Sequence, residues 1–175
     1  MRIELINYPS EDDWAGVKCR ALVTIYGKGM VHVPPPLTGW RHRILAARHS
    51  PIRFLRYSYF FQDIPSNLAT HLARHVHAQP YISSLRPDRQ DVMDGDKAPR
   101  DTPVNMIYDV NAEELMVIAN KRLCRTARKE TQDIVREMCR LAEIVTPELK
   151  GLLVPMCEYG RCHEMFPCGK EKNNA

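Results

Sequence analysis

No run of this sequence is apolar for the roughly 20 residues that a helix needs to cross a bilayer. The first residues, Met1-Arg2-Ile3-Glu4-Leu5-Ile6, lack the apolar core of a secretory leader. A chain with neither is expected in the cytoplasm, where thiols stay reduced. Its six cysteines are therefore expected as thiols or metal ligands rather than as a disulfide framework. The net charge is only +4. That balance suits an anionic small ligand and is too weak to imply nucleic-acid binding, which usually shows a clustered basic face. A P-loop, a dinucleotide glycine pattern and a Ser-His-Asp order are all missing. Gly27-Lys28-Gly29 is too short to be a phosphate loop. Internal repeats and low-complexity tracts are absent too.

What is present is ordinary globular composition: 175 residues, 44% apolar and 26% charged. That is enough for one domain over 1–175 with its own core, the last part, 155–175, being a cysteine-rich tail. Residues Arg2 to Tyr8 alternate as a first strand. Ser10 with Asp13 marks a helix start, and the helix Trp14 to Tyr26 ends at Gly27 and Gly29. After the stiff Pro34-Pro35-Pro36, Thr38 is expected to cap a helix over Gly39 to Arg48. Ile52 to Phe61, rich in aromatic and branched residues, reads as a central strand. Pro65 opens a helix over Ser66 to Val76. Tyr81 to Leu85 reads as extended, Pro87 to Pro103 as a long loop, and Asn105 to Val110 as a strand. Asn111-Ala112-Glu113-Glu114 resembles a capping signature. It opens a helical region that runs to Val145, with a break near Cys124 to Thr126.

One stretch concentrates reactive side chains: His71-Leu72-Ala73-Arg74-His75-Val76-His77, followed by Ser83-Ser84-Leu85-Arg86. The guanidinium forks of Arg74 and Arg86 fit phosphate or carboxylate. Ser84 and Arg86, two apart, project to one side of an extended segment. His71 and His75 are four apart, a spacing that suits a metal on a helix, but no acidic residue lies between them as in a zinc-protease helix. For any single residue the bland reading, a packed histidine or a solvated arginine, is the more common outcome. The clustering favours a site.

The run from Arg74 to Arg86 resembles the signature of the flavin-dependent thymidylate synthases, R-H-R-x-x-S-x-N-E-x-S-x-R. Arg74 and His75 match its opening pair, and Ser84 and Arg86 its closing S-x-R. Val76, Gln79, Tyr81 and Ile82 stand where the family has Arg, Ser, Asn and Glu. His49-Ser50-Pro51-Ile52, Asp63-Ile64-Pro65, Asn111-Ala112-x-x-Leu115-Met116, Arg122 and Ala127-x-x-Glu130 are similar to further family segments in the same order. The resemblance spans about residues 15 to 145 and is nearest to a short, phage-like branch.

The resemblance implies an α/β (α+β) fold with a central, mainly antiparallel sheet flanked by helices. It implies transfer of a one-carbon unit from methylenetetrahydrofolate to C5 of dUMP, with reduced FAD supplying the hydride and NADPH as reductant. Ser50, Arg74, His75 and Asn111 would contact the flavin. His71, Arg74, Ser84, Arg86 and Arg122 would lie along the nucleotide. Arg122 and Ser84 are the implied catalytic residues, with Arg122 stabilising the ionised pyrimidine. One further basic residue between Arg89 and Arg100 would complete the phosphate site. Family members are homotetramers with shared active sites. The departures at Val76, Ile82, Glu113, Val117 and Thr126 leave two alternatives open. One is a related flavin-dependent hydroxymethylase or methylase of a pyrimidine nucleotide. The other is a non-catalytic, zinc-stabilised nucleotide-binding protein of the same fold.

The tail carries Cys157-x4-Cys162-x5-Cys168 beside His163, with Cys124 upstream. Cys124, Cys157, Cys162 and Cys168 are a candidate zinc set. Unliganded reduced thiols and an iron–sulfur cluster are the alternatives. Cys139, at helical spacing with Val135 and Ala142, is expected in the core.

Overall fold

The computed structural model describes residues 1–27, 32–86, 88, 97–159, 162 and 164–169. Gly29, Arg89 and His163 lie outside the described residues. Four strands form one antiparallel sheet in the order β1-β2-β4-β3: β1 (Arg2–Asn7), β2 (Arg56–Pro65), β3 (Gln79–Ile82) and β4 (Pro103–Asn111). Period-two alternation builds it. Tyr57, Tyr59 and Phe61 of β2 and Met106, Tyr108 and Val110 of β4 are all buried. The register pairs Tyr59 with Tyr108 and Phe61 with Met106, so the two rows share one face. Between Phe61 and Ile64 the register slips. Asp63 there takes φ 55°, and its N–H is received by the Asn105 side chain at 3.1 Å.

That face is covered by helices. Three buried tyrosines spend their hydroxyls on them: Tyr57 on Thr146 (2.9 Å), Tyr59 on the Met138 carbonyl (3.0 Å) and Tyr108 on the Leu72 carbonyl (2.8 Å). Each ring thus gains apolar burial without an orphaned polar atom. The partners belong to α3 (Ser66–Ala73), α5 (Lys129–Val145) and the residue just after α5. The other face carries Ser58, Phe60, Tyr81 and Ile107, half-buried or exposed. β3 is an outer strand. The Ser83 N–H bonds the Asn105 carbonyl at 2.8 Å, so Gln79, Tyr81 and Ser83 turn their peptides toward β4. Pro80 and Ile82 turn theirs outward.

The helix α1 (Glu11–Tyr26) begins three residues before the expected Trp14, because Ser10 and Asp13 close a full capping box. It ends at Gly27 in the left-handed region, φ 64°. The second helix, α2 (Thr38–Ala46), has Leu37 and not Thr38 as its N-cap, so Thr38 is already helical. The expected strand from Ile52 is corrected: Ser50–Phe54 is a 3-10 turn with Pro51 in its first positions. The Ile52 N–H closes that turn on the His49 carbonyl at 3.0 Å, and the strand starts only at Arg56. The expected helix to Val76 stops at Ala73, leaving Val76 83% exposed. The break after α4 (Ala112–Arg122) falls where the sequence suggests, and α5 follows from Lys129. A short α6 (Met156–Tyr159) closes the described helices. No helix among the described residues is long and apolar enough to cross a membrane.

Candidate functional site

His75, just past the C-terminus of α3, joins side chains from the two ends of α4. Helix ends leave their last carbonyls without partners. At α3 two of these are taken from outside: Tyr108 takes that of Leu72, and Arg122 Nη2 reaches that of His71 at 3.4 Å. A cation there also sits at the negative end of the helix dipole. With α3 stopped, the chain turns through Arg74 to Ala78. The His75 N–H bonds the Leu72 carbonyl, and the Ala78 N–H bonds that of His75, both at 3.1 Å.

His75 is the hub of the site, with only 8% of its surface exposed. Its Nε2 accepts from Arg122 Nε at 3.0 Å. Arg122 is always protonated, so Nε2 carries no hydrogen and the proton sits on Nδ1. Nδ1 faces Glu114 Oε1 at 3.3 Å, and Glu114 is buried as well. Glu114 and Arg122 lie two helical turns apart on one face of α4, about 12 Å along its axis. Arg122 leans back toward the helix start, as long helical side chains do, and the imidazole spans the remaining gap. The helix start is itself fixed by Asn111, whose Oδ1 accepts from the Glu114 N–H at 2.9 Å.

Two cavities flank this line. One, of about 370 Å³, is lined by Arg53, His77, Asn111, Glu113, Glu114 and Val117. Its rim holds an Arg53–Glu113 ion pair. The other, of about 390 Å³, is lined by Ser66, Asn67, Thr70, His71, Arg74 and Arg100. It is cationic and contains no carboxylate among those residues. Asn67 Oδ1 is buried behind that lining, with no hydrogen-bond partner among the described residues. The contacts Glu114–His75–Arg122–His71 run from the first cavity to the second. Burial, together with the charges of Arg74, Arg122 and Arg128, holds His71 below the ordinary histidine pKa. Its Nδ1 lies 3.3 Å from the Thr131 hydroxyl. Burial, with a smaller contribution from the Glu114 charge, pushes the Tyr108 phenol well up, so it remains a neutral donor.

Of the residues singled out from sequence, His71, Arg74, His75, Asn111 and Arg122 converge here. Ser50 opens the 3-10 turn and is exposed, outside the lining of either cavity; Arg53 of the same turn lines the first. Ser84 and Arg86 lie beyond β3. The Arg86 N–H bonds Ser84 Oγ at 3.2 Å, and its guanidinium forks onto Asp88 at 2.9 Å twice. His71 and His75 do not share a helical face, since α3 ends between them, and each has its own partner. Arg100 is the described residue of the 89–100 segment that reaches a cavity. Among the described residues, no three His, Cys, Asp or Glu side chains are placed as a ready cage for a metal ion. Cys139 is a core thiol, pushed up to about 12 by burial.

Sequence reasoning missed Glu114, Arg53 and Tyr108 as site residues. Glu114 stood in the quoted capping signature, but its carboxylate turns to His75 rather than back to the cap, and no local pattern signals that. Tyr108 reads as one more aromatic strand residue.

No protein-family model matches this chain, and no curated protein matches it. Solved structures do. The thymidylate synthase ThyX of Helicobacter pylori, with FAD and dUMP, aligns with TM-score 0.64 at 16% identity, over 81% of this chain and 93% of that one. A second structure of that protein with the same ligands gives 0.63. The UMP/dUMP methylase PolB of Streptomyces cacaoi, bound with 5-Br dUMP, gives 0.64 at 13% identity, over 86% and 93%. The chain has a ThyX-like α+β fold.

Proposed function

We propose that this chain is a flavin-dependent enzyme that modifies C5 of a pyrimidine nucleotide. The leading reading is a thymidylate synthase-like transfer from methylenetetrahydrofolate to dUMP, with NADPH as reductant. The observation that carries it is the line of contacts Glu114–His75–Arg122–His71, which joins a residue lining the mixed cavity to one lining the cationic cavity.

The cationic cavity suits the nucleotide. Arg74 and Arg100 are fixed charges for a phosphate, with the Ser66 and Thr70 hydroxyls beside them. Of the five N–H groups of Arg122, one is engaged by His75 and one by the His71 carbonyl. The other three can serve the pyrimidine edge. A guanidinium there lowers the energy of the ring anion, which raises electron density at C5. Neutral His71 adds no competing positive charge and is able to give or accept a hydrogen bond.

The mixed cavity suits a ring system better than a pyrophosphate, because Glu113 and Glu114 repel phosphate while accepting from ring N–H groups. Asn111 spends its Oδ1 on the helix cap, so only its NH₂ can serve a ligand. Bound flavin would supply the hydride chemistry; Asn111 and His77 line the cavity that would hold its ring, and the buried His75 stands behind them on Glu114. At about 370 Å³ this cavity is near the lower end of the range for drug-sized ligands. The rest of an FAD would need a second chain. That favours a homotetramer with shared sites, and it gives Ser50, Ser84 and Arg86 a role across subunits.

The related methylase is the second reading, favoured by the equal likeness to PolB and by Glu113, Val76 and Ile82. An absorbance spectrum of the purified protein, before and after FAD and then dUMP, tests the class. Flavin bands that shift on adding dUMP are expected; no flavin uptake at any FAD concentration overturns it. Comparing UMP with dUMP as substrate separates the two reactions.

A further inference from the structure

The residue that closes α2 holds a backbone conformation its type rarely adopts. Arg48 has φ 51°. Its N–H bonds the Leu45 carbonyl at 3.0 Å, and the His49 N–H bonds that of Ile44 at 3.4 Å. These two bonds end the helix by the left-handed motif in which glycine is the usual residue, because a Cβ there is strained. Among the described residues Asp63 shares this sign of φ without being glycine, and aspartate tolerates that region better than a long side chain does. An arginine kept in a glycine position points to a use for its side chain.

Arg48 Nη2 donates to Asn120 Oδ1 at 2.5 Å. Asn120 is 1% exposed, and its Nδ2 donates to the Val154 carbonyl at 2.7 Å. Both ends of the buried amide are thus satisfied, and the arginine, a donor only, fixes which end is oxygen. Glu113, Val117 and Asn120 recur at i, i+4 and i+7, so they share one face of α4. The 3-10 turn Ser50–Phe54 starts two residues after Arg48 and meets that same helix. Arg53 pairs with Glu113, and the Ala112 N–H bonds the Leu55 carbonyl at 3.0 Å. The mixed cavity is the slot between them, lined by Arg53 from the turn and by Asn111, Glu113, Glu114 and Val117 from α4 and its cap. Two arginines therefore fasten this part of the chain to α4, one at each end of that face. The Arg53 pair is exposed, so water and salt compete with it. The Arg48 bond is made to a buried acceptor, which is costly to leave without a partner.

We propose that Arg48 is a positioning residue for the mixed cavity: through Asn120 it sets how closely the 3-10 turn lies against α4, and with it the width of the slot. This role rests on the reading of the slot as the seat of a flavin ring. A planar ring is gripped at one spacing of its walls. A charged hydrogen bond biases that spacing about 10-fold, and a ligand that needs the depleted state loses affinity by the same factor. The cationic cavity takes no lining residue from the turn or from α4, so the nucleotide does not feel this wall.

The test compares Arg48→Gly with Arg48→Ala in the full chain. Both lack the guanidinium, but only glycine is free of the backbone strain, so the Gly variant should have the higher urea midpoint of the two. FAD is titrated by the quenching of its fluorescence, and dUMP by calorimetry with flavin-free protein. Both variants should bind FAD about 10-fold more weakly than the wild type, with dUMP affinity at the wild-type value. Arg48→Lys, which keeps a cationic donor for Asn120, should recover most of the FAD affinity. Unchanged FAD affinity in the Gly and Ala variants overturns the proposal. So does dUMP affinity that falls in step with that of FAD, or a Gly variant that fails to fold, since either shows a structural role alone. Absence of FAD uptake by the wild type overturns the flavin reading and this role with it.

Discussion

Arg122 is fixed by two acceptors that have no other reason to meet. Replacing it by alanine should lower the rate of C5 hydrogen release from dUMP about 100-fold or more, the scale of losing one charged donor to a developing anion. The far-ultraviolet spectrum should persist, and an unchanged rate would remove the residue from the mechanism. Glu114 acts one contact further away. Glu114→Ala leaves the buried Nδ1–H of His75 unpaired, which costs about 1–3 kcal/mol, read as a lower denaturant midpoint. Glu114→Gln keeps an acceptor and should lose less. His71 gives a pH signature. Its folded pKa lies below the ordinary 6.5, so between those two values the unfolded chain binds a proton that the folded chain does not. Its contribution to stability is full above about pH 6.5 and is lost as pH falls toward the folded value. His71→Gln should flatten that part of the stability profile; an identical slope in both proteins would show that another group carries it. At this scale the sequence was informative about types and poor about partners. Arg122, His75 and His71 could be picked out by resemblance. That His75 is the bridge, and Glu114 its orienter, depends on α3 stopping at Ala73, which no local pattern announces.

Among the elements, β2, β4 and α5 were legible because their burial is periodic, and α1 because its cap is written in Ser10 and Asp13. Ser10→Ala should cost about 1 kcal/mol, seen as a lower urea midpoint with unchanged slope. The end of α3 and the start of β2 were not legible. Both are decided by tertiary contacts: Tyr108 and Arg122 take carbonyls that would otherwise invite another helical turn, and Pro51 converts an apolar run into a 3-10 turn. The turn matters for the site because it delivers Arg53 to the rim of the first cavity.

At the scale of the molecule, one chain holds only part of the proposed machinery. Ser84 and Arg86 lie past β3, with the arginine folded onto Asp88. If they serve a neighbour's nucleotide, Arg86→Ala and Arg122→Ala should each be inactive alone and regain activity when mixed after dissociation and reassembly. No recovery on mixing would confine each site to a single chain. Light scattering should give a mass of four chains of 20.2 kDa. Alternation made the strands readable and the resemblance implied their antiparallel sheet, whereas residues gathered around two cavities from separate parts of the chain leave no periodic trace.

Pro80 limits how such an assembly can be built. On the outer margin of β3 it turns a nitrogen without hydrogen away from the sheet, and of that strand only Ile82 offers an outward amide hydrogen. A foreign strand arriving there finds almost no donor to zip onto, so the ribbon resists growing sideways into an open stack. The outer margin of β3 is thereby closed to pairing, while the broad side that displays Phe60, Tyr81 and Ile107 offers side chains instead.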